Sequence, residues 1–178
     1  MGKWIGGFLG LMAGGPLGAI AGFVLGSLFD ANKKAETIVG NDSEQNQQQY
    51  YEGQRNTFRF SLLVLASYIV RADGKVMHSE MNVVRAFLRE TFGEQAVVEG
   101  VQIMRKLFDQ QKRLGMAEFR SAVFSSCQQL RQYMAYEQRL ELVHFLVLIA
   151  QADGVLSSEE VTALRECAAQ LGVDGQDL

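Results

Sequence analysis

Residues 62–80 read LLVLASYIVRADGKVMHSE, and residues 142–160 read LVHFLVLIAQADGVLSSEE. Each stretch starts with an apolar run, continues into Ala-Asp-Gly and reaches a glutamate seven positions after the aspartate. The second copy follows the first by eighty residues. An apolar run that ends at Asp-Gly is typical of a buried helix that stops at a left-handed glycine before a second helix begins. The sequence therefore predicts a helical hairpin that occurs twice.

The spacing of apolar residues around these hairpins is also helical, and proline is absent after residue 16. The two apolar runs, 62–70 and 142–150, are apolar on nearly every side, which predicts central helices in a bundle and a core position for His144. Glycines are placed as stops at or just past the predicted helix ends, at positions 74, 93, 115, 154 and 172. We expect an all-α domain with helices over 55–73, 79–92, 94–113, 117–134, 136–152 and 158–171.

The acidic residues of the repeat have two interpretations. In the first, they only cap helices, because Ser157 and Glu160 form the Ser-x-x-Glu pattern of a capping box. In the second, they are hard oxygen ligands for Ca²⁺ or Mg²⁺, assisted by His78. The twelve-residue acidic loop of an EF-hand is absent. The candidate metal ligands are Asp73, Glu80, Asp153 and Glu160.

The amino-terminal segment has a different composition, because the twenty-six residues from Trp4 to Phe29 carry no charge. As one helix they would span about 39 Å, enough for a hydrocarbon core of about 30 Å. Glycine recurs at every fourth position, which favours close approach of a second helix in a membrane, while bulky residues such as Leu17, Ile20 and Val24 would face lipid. The predicted transmembrane helix thus dimerises through Gly6, Gly10, Gly14, Gly18, Gly22 and Gly26, a series that starts at Gly2.

Alternatives to a straight, retained span are a cleaved signal peptide and a re-entrant hairpin. The apolar run exceeds the roughly 7–15 residues of a signal-peptide core, which favours a retained anchor. Pro16 is the only proline and could kink or reverse the helix. Orientation is undecided by charge, because Lys3 on one side competes with Lys33 and Lys34 on the other.

Composition divides the chain into three parts and excludes several functions. We expect an anchor over 1–30, a polar linker over 31–54 and a helical domain over 55–178. A net charge of −3, with no cluster of basic residues, argues against nucleic acid as a partner. The two cysteines have no zinc-site or disulfide spacing, and no nucleophile or phosphate-binding motif is present, so we expect no enzymatic activity.

The repeated Ala-Asp-Gly hairpins, eighty residues apart in an all-helical domain, resemble the TerB-like domain of tellurite-resistance proteins over about residues 58–171. A glycine-rich anchor that ends at Phe29-Asp30 before such a domain resembles the amino-terminal part of the DjlA-type, DnaJ-like co-chaperones. This resemblance implies an all-α bundle behind a single membrane span, in the bacterial inner membrane, with the domain in the cytoplasm. It implies dimerisation through the anchor, work with the DnaK system or with membrane signalling proteins, and metal binding by the four acidic residues.

One departure from the co-chaperones concerns the J-domain that stimulates DnaK. That domain depends on a His-Pro-Asp loop, whereas Pro16 is the only proline of these 178 residues. These residues are therefore either a fragment whose J-domain follows Leu178, or a relative that keeps only the anchor and the TerB-like domain. In both cases we expect a scaffold or regulatory module whose J-domain is absent from these residues. The alternative is a metal-binding stress-response module that is not tied to chaperones.

Overall fold

The computed structural model describes residues 15–29, 43–74, 76, 78–152 and 154–177. Within these ranges all regular elements are α-helices and there is no strand, which confirms the predicted all-α class. In chain order they are α1 (Pro16–Phe29), α2 (Ser43–Val70), α3 (His78–Phe92), α4 (Glu94–Leu114), α5 (Met116–Tyr133), α6 (Tyr136–Ala150) and α7 (Ser158–Leu171).

The bounds of α3 to α7 lie within two residues of the predicted ones. The prediction for the first helix of the domain was wrong, because α2 begins at Ser43 rather than at residue 55. The first half of α2 is polar and has no helical spacing of apolar residues, so the spacing could not predict where the helix begins. Glutamine and glutamate are nevertheless good helix formers, and the helix extends backward through them from its buried second half.

The two hairpins share one turn geometry. Gly74 and Gly154 have φ values of +82° and +77°, the region that favours glycine, as the sequence predicted. The backbone hydrogen bonds match at an offset of eighty residues. They run from Ala72 N to Ile69 O (2.9 Å), Gly74 N to Arg71 O (3.0 Å), Ala152 N to Ile149 O (3.0 Å) and Gly154 N to Gln151 O (3.0 Å). The structure therefore contains the predicted repeat.

The central position predicted for the two apolar runs is confirmed. Helix α2 packs against α4, α5, α6 and α7, and all its residues from 59 to 70 are buried. Helix α6 packs against α2, α3 and α7 but keeps one edge in solvent, where Leu148 is 59% exposed. The prediction of a core His144 was wrong, because this residue lies on that edge, with Nε2 3.1 Å from the carbonyl oxygen of Asp177.

Helix α1 packs against α5 and α4 of the same bundle. It begins at Pro16, the first-turn position at which proline's missing N–H is harmless, so among the described residues this proline starts a helix rather than kinking one. Leu17, Ile20 and Val24, three of the bulky residues predicted to face lipid, are instead buried against the bundle. Residues 1–14 of the predicted transmembrane helix lie outside the described residues, and no described helix is long and apolar enough to cross a membrane.

Candidate functional site

The end of α2 and the starts of α5 and α7 meet around Ala72 and Met116. Two cavities share these two residues as lining, one of about 490 Å³ on the α4 side and one of about 320 Å³ on the α7 side. We call the pair the junction groove. The first hairpin contributes its Ala-Asp-Gly turn to the groove, and the second contributes the start of α7. The groove therefore lies where the two repeats come together.

The larger cavity has mixed charge. Arg71, Asp73 and Lys112 line it together with Gln111 and Met116. The salt bridges among the described residues include neither Arg71 nor Lys112. Arg71 lies 5.9 Å from the centre of the Phe108 ring, within the range of a cation–π contact. With two cations and one carboxylate in its lining, this cavity suits a ligand that carries an anionic group.

Polar groups of the α4–α5 turn add to this character. Gly115 precedes α5 without a side-chain cap, so the first amides of this helix receive no side-chain acceptor. Gln111 is only 4% exposed, and its Nε2 lies 3.0 Å from Met116 Sδ. Its Oε1 has no hydrogen-bond partner among the described residues, and a buried acceptor without a donor is unfavourable. A ligand that offers both an anionic group and a donor would match these features.

The smaller cavity is built on a network that joins three helices. Tyr68 of α2 donates from its hydroxyl to Glu166 Oε2 of α7 at 3.2 Å. Arg120 of α5 donates from Nε to the same oxygen at 3.1 Å and from Nη2 to Glu166 Oε1. Phe124 packs edge-on to Tyr68, with ring centres 6.2 Å apart, and lies 4.6 Å from the Arg120 guanidinium carbon. These contacts fix the wall of the cavity.

The same network shifts two pKa values in opposite directions. Hydrogen bonding from Arg120 lowers the pKa of the Glu166 carboxyl below its ordinary value. Burial first, and then the negative charge of Glu166, raise the pKa of Tyr68 to about 12. At neutral pH, Tyr68 is therefore a neutral donor and Glu166 an anion. Neither is poised for proton transfer, so the network suits binding better than acid–base chemistry.

The predicted metal ligands are only partly placed by the structure. Glu160 completes the predicted capping box, because Ser157 N donates to its Oε2 at 2.8 Å and Glu160 N donates to Ser157 Oγ at 3.1 Å. Glu80 occupies the equivalent first turn of α3 and is 1% exposed, whereas Asp73 is exposed beside the larger cavity. Asp153 lies outside the described residues. Among those described, no group of three or more candidate ligands could hold a metal ion, and the four-carboxylate site stays a prediction.

The predicted dimerisation glycines fall partly outside the described residues. Gly6, Gly10 and Gly14 precede residue 15. Gly22 and Gly26 lie on the open side of α1, where an added Cβ would meet nothing within 4 Å. Packing of α1 on the bundle therefore leaves this part of the glycine stripe unused, and dimerisation stays a prediction.

Apart from Asp73, the groove residues were missed by sequence reasoning, although one of them carried a signal. Tyr68 is a hydroxyl-bearing side chain inside an apolar run, and a buried tyrosine hydroxyl needs a partner. Its partners Arg120 and Glu166 are 52 and 98 positions away along the chain, and no local pattern connects them. Gln111 and Lys112 likewise look like an ordinary solvated helix end in the sequence.

Comparison with protein families identifies two regions. The family model described as tellurite resistance protein TerB matches residues 59–178, and that of the co-chaperone DjlA transmembrane domain matches residues 1–47. No curated protein and no solved structure matches the chain in the corresponding searches. The two family matches confirm the resemblance drawn from the repeated hairpin and the glycine-rich anchor.

Proposed function

Because the chain belongs to the tellurite resistance protein TerB family and matches the DjlA transmembrane domain at its amino terminus, we propose that it is a membrane-anchored scaffold or regulatory module. In this proposal it lies in the bacterial inner membrane with the helical bundle in the cytoplasm. It self-associates through the anchor and acts with the DnaK system. Its role is binding rather than catalysis.

A single observation carries this proposal, namely the order of the two family matches. The transmembrane match ends at residue 47 and the TerB match begins at residue 59. Helix α2 continues from Ser43 to Val70 and so runs from one matched region into the centre of the other. The helix therefore leads from the end of the transmembrane match into the core of the bundle.

Self-association is tested in a bacterial two-hybrid assay that reports pairing of membrane-embedded segments. Gly22→Leu fills the small-residue stripe and is expected to reduce the signal several-fold, whereas Gly22→Ala keeps the small-xxx-small pattern and retains it. A Cβ added at position 22 meets nothing within 4 Å in the monomer, so the exposed site accepts a side chain and the alanine variant controls for loss of glycine. Equal signals from wild type and Gly22→Leu would contradict pairing through this stripe.

Association with the DnaK system is tested by purifying the full chain from bacterial membranes after mild cross-linking. Because the 178 residues contain no His-Pro-Asp loop, we expect DnaK or its J-proteins to be recovered without stimulation of DnaK ATPase activity by the pure chain. Stimulation by the pure chain, or absence of every DnaK-system component from the cross-linked material, would contradict this part of the proposal.

The second candidate function is a metal-responsive stress module. It is favoured by the matching positions of Glu80 and Glu160, each buried in the first turn after an Ala-Asp-Gly hairpin. Titration calorimetry with Ca²⁺ and Mg²⁺ tests it, with Asp73→Asn expected to abolish the heat. Asp174→Asn, which removes an exposed carboxylate outside the repeat, is the matched control. Absence of heat from the wild-type chain with either ion would exclude this candidate.

A further inference from the structure

Helix α1 carries residues that belong to two environments. Residues 16–29 lie inside the region that matches a transmembrane domain, yet one face of this helix is part of the core of the TerB-like bundle. Leu17 and Val24 are 0% exposed, and Ile20 and Ala21 are 2% exposed. Burial of this kind is typical of a helix that belongs to a folded domain.

Polar groups of the bundle also hold this helix. The N–H of Leu17 donates to Gln129 Oε1 of α5 at 3.2 Å, which satisfies one of the amides left open at a helix start. Midway along the helix, the guanidinium carbon of Arg113 of α4 lies 4.1 Å from the centre of the Phe23 ring, within the range of a cation–π contact. The helix is therefore fixed at its first turn by α5 and farther along by α4.

Gly22 and Gly26 of α1 are exposed and open. Among the described side chains, Leu17, Ile20, Ala21 and Val24 thus pack on the bundle while these two glycines face outward. If the bulky residues of α1 contacted only lipid, the helical domain would not need a surface that fits them. Helices α4 and α5 form such a surface.

The packed position and a membrane-inserted position exclude each other. The fourteen residues of α1 span about 21 Å as a helix, less than the roughly 30 Å of a hydrocarbon core. In the packed position they contact Arg113 and Gln129, side chains that would carry a charge or an amide into the lipid if the whole assembly entered it. Insertion of residues 16–29 therefore requires their release from α4 and α5.

We propose that the surface formed by α4 and α5, which we call the α1 docking surface, binds this chain's own residues 16–29 whenever they are outside the bilayer, and that membrane insertion uncovers it. The docking surface covers the apolar segment in the docked state and is exposed when the segment is in the bilayer. This inference rests on the membrane anchoring proposed above.

Spin-label distances on the full chain test the proposal. Labels are placed at Gly26→Cys, which points into open space, and at Gln132→Cys, on an exposed position of α5. The native Cys127 and Cys167 are buried and are checked for absence of labelling in the unsubstituted chain. In dilute lipid-free buffer we expect one narrow distance distribution. On vesicles of phosphatidylethanolamine and phosphatidylglycerol we expect a longer, broader one.

A broad distribution in buffer, or an unchanged narrow one in vesicle-bound protein, would overturn the docking proposal. Vesicle flotation of the same sample separates this from failure of the anchor. If the chain does not float with the vesicles, membrane anchoring is refuted, and so is the release of residues 16–29 on insertion. The distance between the two spin labels in buffer still decides whether residues 16–29 dock on the bundle.

Substitutions in α4 test the same competition without changing the anchor sequence. Arg113→Ala removes the contact with Phe23 and should raise the vesicle-bound fraction relative to the free one by about two- to five-fold, the range of an exposed cation–π contact. Arg105→Ala removes the same charge from an exposed position of the same helix and is the matched control. If the two variants partition equally between vesicles and solution, the bundle and the bilayer do not compete for residues 16–29.

Discussion

At the scale of single residues, the Tyr68 hydroxyl joins three helices of the bundle. Tyr68 is 4% exposed near the end of the central helix α2, and its hydroxyl lies at the edge of the junction groove and donates to Glu166. Arg120 supplies the counter-charge to Glu166 from a third helix. One polar atom in an apolar run thus connects α2, α5 and α7, and its partners could not be read from local sequence.

Replacement of Tyr68 by Phe should lower the free energy of unfolding at pH 7 by about 0.5–1.5 kcal/mol, the net contribution of a hydrogen bond. The tyrosine has its pKa raised from 10.0 to about 12 in the folded state. Its contribution is therefore complete below pH 10 and is lost as the pH rises toward 12. Urea unfolding at a series of pH values should show the difference between wild type and Tyr68→Phe shrinking over that interval. Tyr133→Phe, at a 62% exposed position, is the control and should follow the wild-type curve.

The two cysteines give a second prediction at this scale. Cys127 and Cys167 are both 0% exposed, and hydrogen bonding with Cys127 together with burial raises the pKa of the Cys167 thiol. Because the thiolate is the reactive form, neither residue should react with a disulfide reagent in the native chain at pH 8. Both should react once the chain is unfolded in urea. Rapid reaction of either thiol before unfolding would contradict this account of the core.

At the scale of elements, local signals predicted what local interactions determine. Helix ends after the apolar runs were predictable because glycine adopts positive φ more readily than other residues, and the start of α7 was predictable from its capping box. The start of α2 could not be predicted, because its polar first half has helix propensity but no periodic spacing of apolar residues. The packing of α1 on α4 and α5 could not be predicted either, because an apolar helix can pack against protein as well as against lipid.

The hairpin turns can be tested as a matched pair. Gly74→Ala and Gly154→Ala should each lower the free energy of unfolding by about 1–2 kcal/mol, since an added Cβ meets open space at both and the cost is that of positive φ alone. Gly74→Asn should lower it less, because asparagine tolerates the left-handed region. Urea denaturation of the full chain measures all three. Equal losses for Ala and Asn at position 74 would show that another constraint acts at this turn.

At the scale of the whole molecule, the two repeats build the junction groove and the two family matches relate the bundle to a membrane. The α-helical class, the repeated hairpin and the resemblance to TerB followed from the sequence, because they rest on period and turn chemistry. The groove did not, because it is assembled from helix ends that lie far apart along the chain. The four predicted metal ligands share a place in the repeat, but sequence position alone does not bring their oxygens together.

The proposed function depends on the amino-terminal segment anchoring the TerB-like bundle to a lipid bilayer. Density-gradient flotation with vesicles of phosphatidylethanolamine and phosphatidylglycerol tests this anchoring, with the full chain compared with and without vesicles. We predict that the full chain rises with the vesicles and resists extraction by alkaline carbonate, whereas without vesicles it stays at the bottom. Recovery of the full chain in the vesicle-free fraction would contradict membrane anchoring.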